Sequence, residues 1–422
     1  MAYQHGVFIQ EQATSLVTPV EVNSALPVIV GTAPVHHLGV GVARPVNVPK
    51  LIYSMSDFVT AFGAPAEGES AADYTLYEAA NLYLARYKVA PIVAINVFDP
   101  AVHVAGPDAP VPGAPDVTKV VATDIIGGID STTKARKGLA LVEEVYPRFR
   151  LIPGQILAPG FSGTPSVALA VGSACSNICG HFRAMGIIDV PDEVKLYTEV
   201  PAWLNDNNLT DINLLCMFGS PVYGGLTEHG SSHLAGVIGQ RDAENDGIPF
   251  WSPSNKRLQC EGLVHAGRDL NLTPIEGAYL NGNGIVTGLN MVGGIVAWGD
   301  QTAGYPGITD VKDTSIPIRR MFNWVGNTLV LTCWQYVSNP LRRRMIETVQ
   351  DTFNVWLNGL VGREYLLGGR VAFETVDNPI TDLMAGKVRW HMYLTPPQAA
   401  RELTFVLEYD PSYLSTLYGL TA

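Results

Sequence analysis

Glu228, His229 and His233 are the residues whose types and spacing come nearest to a reactive metal site. In the run EHGSSH the two histidines stand four apart, a step that on a helix aims two imidazoles at one ion. The order His-Glu-x-x-His is absent, because the glutamate precedes the pair and Gly230, Ser231 and Ser232 fill the interval. The segment therefore reads as polar loop. His36 and His37 are adjacent, and neighbouring side chains on an extended chain point to opposite sides, so they read as a poor metal pair. Asp189, Asp192 and Glu193 flank Pro191 and read as solvated turn carboxylates, with a carboxylate pair as the alternative.

Other reactive patterns are incomplete. No Gly-x-x-x-x-Gly-Lys-Ser/Thr phosphate loop and no Gly-x-Ser-x-Gly elbow occurs, and Gly282-Asn283-Gly284 is only a fragment of a dinucleotide fingerprint. Cys175, Cys179, Cys216, Cys260 and Cys333 contain no CxxC pair and read as buried thiols in a reducing compartment. No catalytic residue, cofactor or metal is expected.

The elements around these residues must therefore carry the function. The chain has 422 residues, enough for two or three domains, yet only 16% are charged. Low charge beside 47% hydrophobic residues suits a chain that buries surface against copies of itself, since interface cores are depleted in charge. The net charge of −12 argues against nucleic acid as a partner. It is uneven: residues 1–130 hold 5 basic and 12 acidic groups, whereas residues 311–422 hold 11 and 10. The N-terminus lacks the basic start and apolar core of a signal peptide, and no apolar window is long enough for membrane insertion.

The organising stretch runs from Ala278 to Tyr305. Asn281 to Gly284 reads as a turn, and Gly294 to Trp298 as a strand in a covered sheet, so the stretch reads as a tight junction. Before it, strands are expected at 26–33, 91–98, 117–126, 153–160 and 211–218. Helices are expected at 73–87, 132–146 and 167–185, with 233–239 read as helix or strand. Five prolines in 99–116 mark a linker. After the junction, Asn339 is the expected cap of a long helix with Pro340 at its first position. Leu341, Met345, Val349, Phe353, Trp356 and Leu360 fall on one face of that helix, and Arg342, Arg343 and Arg344 lie in its first turn against the macrodipole. These arginines read as a solvated face or an intersubunit charge site. Residues 388–394 and 404–409 alternate as half-buried strands, and the tail beyond Pro411 reads as extended.

The order Leu280-Asn281, Gly284-Ile285, Gly294, Trp298-Gly299-Asp300-Gln301-Thr302 resembles the junction of contractile tail sheath proteins from phages and phage-derived injection machines. That family commonly has Trp-Gly-Asn-Arg-Thr where this chain has Trp-Gly-Asp-Gln-Thr, so the arginine is missing. Ala235-Gly236, Arg241-Asp242 and Pro253-Ser254-Asn255 form a second resemblance, with Ser254 in place of alanine. Asp57-Phe58 with Phe62-Gly63, the run PGQILAPG and Asp189-Val190-Pro191 are similar to shorter family segments.

The resemblance implies a mixed α/β and α+β multidomain chain: an N-terminal extended arm at 1–24, core segments at 25–100 and 311–410, a linker at 101–116, a middle α/β domain at 117–310 and a C-terminal arm at 411–422. It implies a subunit that polymerises as stacked hexameric rings around a tail tube, meets baseplate and tail terminator proteins, and contracts to drive the tube through an envelope. The expected place is a virion tail assembled in the host cytoplasm. Arm contacts are expected at His5, Gly6, Val7, Phe8 and Ile9 and at Tyr413, Leu414, Leu417 and Tyr418. Asn281, Gly284, Trp298, Gly299, Thr302, Asp242, Pro253 and Asn255 would be structural. The alternatives are a metal-assisted α/β hydrolase-like enzyme using His229 and His233, and a non-contractile structural or surface-binding module.

Overall fold

The computed structural model describes residues 19–39 and 41–418, the last four as backbone only. The first part supplies β1 (Pro27–Gly31), β2 (Lys50–Ile52), β3 (Ile92–Asn96), the short pair β4 (Gly128–Ile129) and β5 (Arg136–Lys137), then β6 (Gln155–Leu157), β7 (Met185–Asp189) and β8 (Leu214–Phe218). Then come β9 (Ser220–Tyr223), β10 (Leu226–Thr227), β11 (Lys256–Arg257), β12 (Gly262–His265), β13 (Arg268–Asp269), the hairpin β14 (Ile285–Met291) and β15 (Gly294–Trp298), and the pair β16 (Gly368–Ala372) and β17 (His391–Thr395).

Nine strands form one sheet in the order β11-β15-β14-β8-β7-β6-β1-β3-β2. Neighbours from β14 through β3 are parallel, and antiparallel strands close both edges. Every residue of β1, β3 and β8 is buried, as continuous apolar runs require when both sheet faces are covered. The cover comes from α1 (Met55–Phe62), α2 (Thr75–Asn81), α3 (Ala122–Ile126), α4 (Val145–Phe149), α5 (Pro165–Ser176), α6 (Val200–Asp206), α7 (Gly230–Ala243) and α8 (Pro274–Asn281). A π-helical turn, Leu82–Arg86, extends α2 and packs on α7, where a Cβ at Gly236 or Gly239 would overlap the rings of Tyr87 and Tyr83. Beyond the sheet lie α9 (Val311–Thr314), α10 (Ile316–Cys333), α11 (Arg343–Gly362) and α12 (Ile380–Met384).

Several local expectations change. Residues 117–126 form a 3-10 turn and α3 in place of a strand, because Asp116 caps the Thr118 amide and Asp124 reaches back to the Val121 amide. The helix expected at 132–146 is broken into β5, a 3-10 stretch and α4. Asp130 accepts from the amides of Thr132 and Thr133 at 2.9 and 2.8 Å and so fixes a turn where the helix would begin. The helix expected at 167–185 ends at Ser176, and Cys179 beyond it takes a left-handed φ of 52°. Helix α11 starts at Arg343 with Arg342 at the cap position, so Asn339 is not its cap. Its buried stripe is Val349, Thr352, Phe353, Trp356, Leu357 and Leu360, while Leu341 lies outside it.

Residues 25–100 do not form a sheet separate from 117–310, because β1 is hydrogen-bonded to both β3 and β6. The end of the expected N-terminal arm is also tied down within its own chain. Val20 N–H donates to Thr332 Oγ1 at 3.0 Å, Trp356 Nε1 to Glu21 Oε1 at 2.8 Å, and Trp324 Nε1 to the Val22 carbonyl at 2.6 Å. Trp324 and Trp356 stack at 5.4 Å between ring centroids, joining α10 to α11. Helix α11 then covers the β16–β17 pair.

Candidate assembly surfaces and the motif junction

Asn281 ends α8 beside the hairpin. With its amide turned to satisfy its neighbours, it donates to the Ile285 and Trp298 carbonyls at 3.0 and 2.9 Å and accepts from Trp298 Nε1 at 3.0 Å. Gly284 follows with φ of 73°, and a Cβ there would collide with the carbonyls of Thr302 and Tyr305. At Gly299, φ of 138°, a Cβ would meet the Asn281 side-chain amide and the Val286 backbone. Thr302 Oγ1 donates to the Asp313 carbonyl at 2.9 Å, joining the junction to α9. The second motif arrives at the same place: Ser254 Oγ accepts from Gly299 N–H at 3.1 Å, and Asn255 N–H donates to the Ala297 carbonyl at 2.6 Å. Asn281, Gly284, Trp298, Gly299, Thr302 and Asn255, with Pro253 beside them in sequence, therefore form one packing unit.

Asp242 forms another. It lies in α7, is buried, and forms a two-pronged ion pair with Arg320 of α10, one arm measuring 2.9 Å. Ser24 Oγ lies 2.7 Å from Asp242 Oδ2. Residues distant in sequence thus pin the N-terminal segment, α7 and α10 at one buried point.

Arg401 reaches the Asp300-Gln301 step of the junction. Arg401 Nε donates to Asp300 Oδ2 at 2.7 Å, and the Gln301 amide oxygen accepts from both Arg401 terminal nitrogens at 3.0 Å. Beyond Arg401 the expected strand at 404–409 has no ladder partner among the described residues. Phe405 and Leu407 are 83% and 94% exposed, and Leu403, Val406 and Tyr409 are also exposed. The alternation is present, but no described sheet edge receives it. The tail is not extended: Pro411–Tyr418 forms a 3-10 helix, started by Asp410 accepting from the Ser412 amide at 2.9 Å. Tyr413 and Leu414 are exposed on it, while the side chains of Leu417 and Tyr418, and all of His5, Gly6, Val7, Phe8 and Ile9, lie outside the described residues. Arg342, Arg343 and Arg344 are exposed at the start of α11, where Glu347 accepts from Arg343 Nε at 2.7 Å.

The EHGSSH segment opens a helix and is not a loop. His229 caps α7, and its Nδ1 lies 3.0 Å from Glu78. Burial alone would lower its pKa, but contact with Glu78 and the nearby Asp189 and Glu228 charges outweigh this and raise it to about 9. Buried His233 is held elsewhere, by Glu228 at Nε2 (2.9 Å) and Tyr87 at Nδ1 (3.2 Å). Arg86 closes on Glu228. Asp189, whose pKa burial raises, is not a solvated turn residue: it accepts from the Ser231 amide at 2.6 Å and from its hydroxyl. The two histidines thus serve different carboxylates, and Ser231 is bonded to a carboxylate, not an imidazole. The arrangement locks α2, β7 and α7 together beside a cleft of about 630 Å³.

Sequence similarity to known proteins extends along the whole chain. The tail sheath protein of Burkholderia phage BcepMu is 26% identical over 496 aligned positions, which cover 99% of each chain. Over its full length the chain is similar to tail sheath proteins. The fold matches a contracted extracellular injection-system (PVC) sheath, with a TM-score of 0.67 at 16% identity, covering 98% of this chain and 99% of that one. It also matches the contracted helical sheath of the anti-feeding prophage, with a TM-score of 0.65 at 17% identity and coverage of 96% and 99%. No family model matches the chain. The pairing of Asp242 with Arg320 and the role of Arg401 were beyond reach from the sequence, because both partnerships cross long sequence separations. Gln301 standing where an arginine is usual was the one available hint.

Proposed function

We propose that this sheath subunit polymerises as stacked hexameric rings around an inner tube and that the lattice contracts to drive the tube through an envelope. The carrying observation is the solvent-exposed apolar run Leu403–Tyr409, fastened at its base by Arg401 and lacking a ladder partner among the described residues. Exposed alternating apolar side chains and free backbone groups favour pairing with another sheet edge. The role is structural, with the energy of contraction held in subunit contacts. Tube, baseplate and terminator proteins are its partners, and the assembled place is a phage-type tail or injection machine, built in the host cytoplasm. The arms would be His5–Ile9 and the tail containing Tyr413, Leu414, Leu417 and Tyr418, while Arg342, Arg343 and Arg344 would face a neighbouring subunit. Residues 117–310, which share their sheet with 25–100, would face outward.

Negative-stain electron microscopy of concentrated full chain, a 1–18 deletion and a 402–422 truncation tests the reading. Tubes or stacked rings from the full chain, lost in both truncations while the monomers keep their thermal transition, are expected. Unchanged polymers from both truncations would overturn the arm assignment.

A further inference from the structure

His36 and His37 do not point apart. Residues Val35–His37 form a 3-10 turn directly after β1, anchored by buried Val35, and the two imidazoles lie 3.8 Å apart between centroids. Glu69, in the loop before α2, reaches the same place and stands 2.8 Å from His37 Nε2. We propose that His36, His37 and Glu69 bind a divalent late first-row transition-metal ion, such as zinc, which clips the exit of β1 to the loop leading into α2.

The donor atoms of the three side chains lie within 4.8 Å of one another. Metal–ligand bonds of about 2.0–2.1 Å in a tetrahedral shell separate ligand atoms by roughly 3.3 Å, so small side-chain rotations complete the site. Two imidazoles and one carboxylate suit zinc, nickel or copper, not magnesium, which takes oxygen ligands. The ligands are held from behind. Glu69 Oε2 accepts from the Ala66 amide at 3.0 Å and from the Tyr74 hydroxyl at 3.2 Å, the kind of outer support that orients a ligating carboxylate. The His36 ring packs edge-on against Phe98, and its buried Nδ1 has no hydrogen-bond partner. Arg44 is the opposing cation; its guanidinium lies 3.4 Å from the His36 carbonyl.

Isothermal titration of the full chain with zinc chloride, and in parallel with magnesium chloride, tests the site in a His5→Ala background. One zinc per chain and no magnesium uptake are expected. Glu69→Gln and His37→Ala should each weaken zinc by at least about tenfold, and the His36→Ala/His37→Ala double variant should abolish the site. Zinc should raise the melting temperature of the parent and not of the double variant, and the parent's cobalt visible spectrum should be lost with it. Circular dichroism keeps a folding defect distinguishable. A folded double variant that binds zinc with the parent's affinity and stoichiometry would overturn the proposal, as would a folded parent that takes up no zinc.

Discussion

Arg401 Nε sits 2.7 Å from Asp300 Oδ2, so the segment leading to the exposed C-terminal run is fastened to the same junction that joins β15 to α9. The contact is partly solvated on the arginine side, which keeps its contribution to monomer stability small. Arg401→Ala should therefore lower stability by about 1 kcal/mol or less while impairing tube formation strongly. Chemical denaturation beside pelleting of polymer measures both, and a loss confined to stability would count against the fastening role.

The Asp242–Arg320 pair should behave in the opposite way. Both side chains are buried, and removing one partner strands the other charge in the interior. Asp242→Ala should cost about 3–5 kcal/mol, read as a lower urea midpoint of the monomer.

Glycine substitutions separate junction packing from ordinary helix propensity. Gly284→Ala should destabilise the chain, since its Cβ meets fixed carbonyls at a positive φ. Gly359→Ala, in α11 with open space around it, should stabilise the monomer by about 0.5–1 kcal/mol. Paired thermal melts decide whether the two signs differ.

His229 makes stability fall with rising pH. Its folded pKa of about 9 lies above the ordinary value of 6.5, so its contribution is complete below about pH 6.5 and is lost as pH climbs through 9. Burial works against this shift, and Glu78, Asp189 and Glu228 supply the charge that reverses it. His229→Gln should flatten the decline, on the order of a few kcal/mol in the parent, between pH 6.5 and 9. Equal slopes in parent and variant would reject the assignment.

Charge reversal of Arg342, Arg343 and Arg344 should leave the melting temperature nearly unchanged, because all three are exposed and among the described residues their one carboxylate contact is Arg343 with Glu347, one turn on. A reduced yield of tubes is the expected outcome, and wild-type yield would place the arginines on a solvated face.

The sequence by itself determined the buried strands β1, β3 and β8 and the apolar stripe of α11, because local periodicity and continuous apolar runs report burial directly. It also marked Asn281 and Gly284 as turn residues, while Trp298 and Gly299 were marked by the resemblance. Only the tertiary structure decided that 25–100 and 117–310 share a sheet, since strand neighbours are chosen by long-range pairing. It alone brought Arg401 to Asp300 and Gln301, Arg320 to Asp242, and Glu69 to His36 and His37. It also showed the 404–409 alternation standing exposed in the described chain. Alternation records which side chains seek cover; the folded surroundings determine whether any is present.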